Sequence, residues 1–143
     1  MLSREEQQEY TGFIEARLRE YTFARKIRSK IRNLFVSSAR MNDIRGRFIE
    51  KTGPFFAEHV RRLSGNDTFM TELQIQHFEQ RIRTLPKDTL IRLYNELKRI
   101  EQVNSPAVRA QLFDHFCNSL ILTYSLNGWF LHIYAEELRK KQQ

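Results

Sequence analysis

Apolar residues recur along this chain at steps of three and four, the spacing of helices that bury one face. The longest series is Tyr10, Ile14, Leu18, Tyr21, Ala24, Ile27, Ile31 and Leu34. It predicts a long first helix ending near Ser37-Ser38, or two helices if the chain kinks around Tyr21 to Ala24. Ser3 and Glu6 have the spacing of a capping box at its start. A second series, Met41, Ile44 and Phe48, is expected to stop at Gly53. Pro54 would then open a helix carrying Phe55, Phe56, Val60 and Leu63.

Ser64 to Asp67 reads as a surface loop, with Thr68 or Thr71 as the next cap. Leu73, Ile75, Phe78 and Ile82 supply the apolar side of the helix that follows, until Thr84-Leu85-Pro86 interrupts it. Leu90, Leu93, Tyr94, Leu97 and Ile100 form a clean amphipathic stripe. Ser105-Pro106 restarts the pattern as a cap with proline at the first helical position. Val108, Leu112, Phe116, Leu120 and Tyr124 follow, then a break at Asn127-Gly128 and a last helical stretch from Trp129 to Lys141. Six to eight helices are therefore expected, and no strand-like alternation interrupts them. The predicted fold class is all-α: a compact multi-helix bundle with a long basic N-terminal helix. It forms one domain over residues 1–143, with flexible ends at 1–3 and 139–143.

Composition agrees with this picture. Eleven phenylalanines and a hydrophobic content of 41% can fill a core, and only five glycines and three prolines punctuate the chain. Cys117 is the only cysteine, so no internal disulfide or thiolate zinc cluster can form within one chain. A cytoplasmic or other reducing intracellular setting, the nucleus included, is the expected location. The N-terminus carries no apolar run of signal-peptide type, and no segment has the length of a transmembrane helix. The short apolar run from Leu120 to Leu126 reads as core.

Charge changes the picture most. Residues 17 to 47 hold ten basic and two acidic residues, a net +8 against +7 for the whole chain, so the remainder nets minus one. Arg25, Arg28 and Arg32 fall on one helical face at steps of three and four, and Lys26 and Lys30 form a neighbouring row. Arg40, Arg45 and Arg47 extend the basic segment. Ala24, Ile27, Ile31 and Leu34 occupy the side expected to anchor the helix to the core. Such a ridge suits phosphate oxygens, to which arginine adds bidentate geometry and lysine a mobile point charge.

The expected function is therefore a non-enzymatic contact with the phosphate backbone of RNA or DNA, duplex RNA slightly ahead on grounds of shape. No spacing characteristic of a base-reading module is present. The alternative is a helical adaptor or assembly subunit that binds an acidic or helical protein partner, with Trp129 and Phe130 as its interface candidates. Self-association into a homo-oligomer through the long first helix belongs to either reading. Peripheral attachment to an anionic membrane is a third, because Phe23, Leu34, Phe35 and Val36 lie within or beside the basic run.

Nothing in the sequence points to catalysis, to a metal or to a cofactor. His59, His77, His115 and His132 form no metal-ligand pair, and Asp114-His115 are neighbours that do not face one another on a helix. Cys117 reads as core packing. Glu96 and Glu101, beside Lys98 and Arg99, and Glu136 and Glu137, before Arg139 and Lys140, read as solvated surface charges.

Overall fold

The computed structural model of the chain describes residues 1–20, 23–65, 67–123 and 137–140. The fold is all-α. Its helices are α1 (Arg4–Glu20), α2 (Phe23–Asn33), α3 (Ser38–Ser64), α4 (Thr68–Arg83), α5 (Lys87–Glu101) and α6 (Pro106–Thr123). Residues 137–140 are helical too, and no strand occurs among the described residues. The chain divides into two compact units, Met1–Ile31 with Asn95–Gln143, and Arg32–Tyr94. The long helix expected at the N-terminus is described as α1 and α2, on either side of residues 21–22.

In the first unit α1 packs against α6. Tyr10 and Ile14 are buried from α1, and Val108, Leu112, Phe116, Cys117 and Leu120 from α6. Both bonds of the capping box form: Ser3 N–H donates to Glu6 Oε1 at 3.1 Å and Glu6 N–H to Ser3 Oγ at 3.2 Å. Glu6 also accepts from the Ser105 hydroxyl, while Glu9 Oε1 accepts from the Asn104 and Ser105 N–H groups at 3.0 and 3.4 Å. Ser105 caps α6 in turn, its Oγ accepting from Val108 N–H at 3.3 Å. Two carboxylates near the start of α1 thus fix the connection between α5 and α6. The bonds from Ser105 and Ser3 hold the Glu6 carboxyl below its ordinary range.

In the second unit α3 packs against α4. Ser37 caps α3 by accepting from Arg40 N–H at 3.1 Å. The sequence pattern ends one helix at Gly53 and begins another at Pro54; instead, α3 runs through both to Ser64. Met41, Ile44, Phe48, Thr52, Phe56 and Val60 are all buried, at steps of three and four, so the packed face stays in phase across the proline. Phe56 stacks on Phe78 of α4 with centroids 4.0 Å apart and rings 13° from parallel. One helix hydrogen bond forgone at an exposed proline is outweighed by two more turns of buried side chains. Pro54→Ala should therefore raise stability by about 1 to 3 kcal/mol, since proline costs about 3 kcal/mol more than alanine inside a helix and stiffens the unfolded chain in partial compensation. A urea titration in which the variant unfolds earlier than the parent would refute that.

The turn after α3 needs a glycine. Gly65 has φ 60° and ψ −126°, a positive-φ conformation that favours glycine, and its N–H donates to the Arg61 carbonyl at 3.0 Å, closing the helix. Asp67, not Thr68 or Thr71, stands at the cap position of α4, its carbonyl accepting from the Thr71 N–H at 3.1 Å and hydroxyl at 2.8 Å. The packed face of α4 runs through Thr71, Phe78 and Ile82. Leu73 lies off that face and is exposed, as is Phe69 one turn earlier. Along α5 the expected stripe is wholly buried: Leu90, Leu93 and Tyr94 in this unit, Leu97 and Ile100 in the other.

Candidate polyanion-binding surface

Helix α2 is the densest part of the basic segment, and its orientation reverses the expected one. Of the four residues expected to anchor it, Ile27 is 42% exposed, Ile31 55% and Leu34, just past its end, 65%, while the side chain of Ala24 lies outside the described residues; Phe35, next along the chain, is 84% exposed. Asn33, on the other side of the helix, is buried. Two polar bonds hold the chain at the end of this helix. Asn33 Nδ2 donates to Asp88 Oδ1 at 3.0 Å, and Lys87 Nζ donates to the Leu34 carbonyl at 3.0 Å. The start of α5 therefore grips the end of α2. An ammonium meets the negative pole of α2, and a carboxylate in the first turn of α5 meets its positive pole.

Arg25, Arg28, Lys30 and Arg32 are all exposed. Arg28, Lys30 and Arg32 form no hydrogen bond or ion pair among the described residues. The side chain of Lys26 lies outside the described residues. The nearest acids in sequence to this run are Glu20 and Asp43, so residues 21–42 carry no negative side chain. At 3.6 residues per turn, Arg28 and Arg32 flank the apolar stripe on one side and Lys30 on the other.

Arg40, Arg45 and Arg47, in the first turns of α3, are arranged differently. Asp43 accepts from Arg40 at 2.9 Å and from Arg47 at 3.1 Å, so one carboxylate bridges two of the three. Those bonds raise the pKa of Arg47 further. Arg45 is half-buried; its Nη1 donates to Asn42 at 3.4 Å, and its buried Nε has no hydrogen-bond partner among the described residues. The sequence-predicted ridge thus falls into an unbridged part on α2 and a partly neutralised part on α3. Trp129 and Phe130, the expected protein-interface residues, lie outside the described residues.

Two carboxylates expected on the surface are buried in the first unit. Glu96, its side chain 0% exposed, accepts from Arg17 Nε at 2.9 Å and from Arg17 Nη2 at 2.9 Å. Arg17 also pairs with Glu20, which takes Arg99 at 3.1 Å. Glu96 stands between Leu93, Leu97 and Ile100 at helical spacing, so its place in the buried stripe was visible in the sequence; its partner, 79 positions away, was not. Glu137 accepts from the Tyr10 hydroxyl at 3.1 Å and lies 3.5 Å from His115 Nδ1 and 3.4 Å from Lys140 Nζ. Burial and the adjoining carboxylate push the Tyr10 phenol pKa far up, leaving it a donor. His115 Nε2 is buried without a hydrogen-bond partner among the described residues.

An open groove of about 890 Å³ beside α1 is lined by Arg4, Gln8, Thr11, Glu15 and Gln111 among others, and by none of Tyr10, His115 and Glu137. Burial also raises the pKa of the Cys117 thiol, with Asp114 adding to it. No cluster of three or more metal-ligating side chains occurs among the described residues, and none of their helices is long and apolar enough to cross a membrane. Comparison with protein-family models, curated proteins and solved structures returns no match for the chain.

Proposed function

We propose that this chain is a non-enzymatic binding protein that holds a phosphate-bearing polyanion on α2. One observation carries the reading: Arg28, Lys30 and Arg32 are exposed and unbridged among the described residues, inside a 21–42 run that contains no acid. Charges left unneutralised in this way produce a local positive potential, and phosphate groups that enter it release bound counterions. Arg25 and Lys26 belong to the same run and add to the field. Arg40, Arg45 and Arg47 are secondary, because Asp43 bridges two of them. Backbone phosphates of RNA or DNA offer such charge along a line, and acidic lipid headgroups offer it in a plane.

The reading is tested by a salt series with duplex RNA, duplex DNA and phosphatidylserine-containing vesicles. Arg28→Gln with Arg32→Gln should weaken whichever polyanion binds and lower the slope of log affinity against log salt by about two, near one per lost phosphate contact. Circular dichroism should stay unchanged, since both side chains are exposed. An unaltered slope would sink the proposal. A second reading, an adaptor for an acidic protein, draws on Phe69 and Leu73, exposed one turn apart on α4. It requires a complex that persists in high salt and is lost on Phe69→Ser.

A further inference from the structure

We infer that the polyanion held by α2 is the surface of an anionic phospholipid bilayer, on which the helix lies with its apolar stripe inserted. This rests on the polyanion reading above and commits it to one partner. Ile27, Ile31 and Leu34 follow at steps of four and three and face outward, with Phe35 next and more exposed still. Arg28 and Arg32 border this stripe on one side and Lys30 on the other. The Asn33 side chain, on the other side of the helix end, and the Leu34 carbonyl are bonded to Asp88 and Lys87 at the start of α5. Aliphatic stems of arginine and lysine can then lie along the acyl boundary while their charged ends reach headgroup phosphates.

Other occupants satisfy only half of this surface. A nucleic-acid backbone neutralises the cations but leaves three aliphatic side chains and a phenylalanine in water. A second copy of the chain covers the apolar stripe but sets cations against cations, because no acid lies between residues 20 and 43. A bilayer carrying acidic lipids supplies both parts at once. Near such a surface each cation is worth about fivefold in affinity, and each inserted aliphatic side chain about tenfold. Charge and insertion must therefore act together.

The test uses the full chain, with flotation on vesicles of phosphatidylcholine alone or with phosphatidylserine, and with duplex RNA in parallel. The expected result is binding to the acidic vesicles, at least tenfold weaker binding to the neutral ones, and at least tenfold loss on acidic vesicles for Ile27→Ser with Ile31→Ser. Leu34→Ser with Phe35→Ser, a second pair of exposed positions, should behave alike, and thermal unfolding of each variant verifies that the fold is kept. Acidic-vesicle binding that survives both pairs overturns the inference. RNA binding without vesicle binding overturns it while leaving the polyanion reading standing. Absence of binding to vesicles, to duplex RNA and to the duplex DNA of the salt series defeats both.

Discussion

Arg17→Met is expected to destabilise the protein by about 3 kcal/mol, near the lower end for breaking a buried ion pair because Arg17 keeps some access to water. The loss comes less from the missing attraction than from the carboxylate left behind. Glu96 has no solvent exposure and sits among Leu93, Leu97 and Ile100, where an ionised oxygen without its guanidinium is poorly accommodated. A paired substitution separates the two contributions. Arg17→Met with Glu96→Leu removes both charges and keeps the volume, and should recover most of the loss. Urea midpoints for the parent, both single variants and the double give the coupling directly. Equal midpoints for the parent and Arg17→Met would mean that the pair does not hold α1 to α5.

Phe78→Ala should cost about 3 to 5 kcal/mol, the range for removing a large aromatic side chain from a packed core. Phe78 is almost fully buried and stacks on Phe56, so its loss opens a cavity between α3 and α4 and leaves a ring without its partner. Leu73→Ala on the same helix should shift stability by no more than about 0.5 kcal/mol, because its side chain is already exposed. The contrast tests which face of α4 is packed. A Leu73 variant as damaging as the Phe78 variant would rotate the helix by most of a half-turn.

The parts of the fold that could be read from the chain are those where pattern and punctuation agree. The five-residue stripe of α5 is wholly buried, and Ser105-Pro106 opens α6 as both cap and first-turn proline. Gly53-Pro54 misleads because it is local evidence against a helix whose buried face is set by α4, where Phe78 stacks on Phe56 from 22 positions further along the chain. Leu73 is apolar but out of step with Phe78 and Ile82, and phase decides its fate over hydrophobicity.

The surface of α2 illustrates a different limit. Spacing identifies its apolar face and its cations, yet not which side the rest of the molecule will cover. The bonds from Asn33 to Asp88 and from Lys87 to Leu34 span more than fifty positions and leave no mark on that spacing. The partners of Glu96 and Glu137 were hidden for the same reason: a carboxylate is buried only when a distant donor arrives to meet it. Asp43 was legible as an acid near arginines, but its double bridge depends on steps of three and four along α3 that also describe ordinary surface pairs.

The burial of Cys117 gives the molecule an internal clock. Its sulfur is the only thiol in the chain, shielded within α6 and held protonated by its surroundings. An alkylating reagent can therefore modify it only after this part of the helix has opened, and the labelling rate counts those openings. Because the residue belongs to the unit formed by 1–31 and 95–143, the clock is blind to events confined to 32–94. Run alongside the ellipticity of the whole chain in rising urea, it distinguishes one cooperative melting from two.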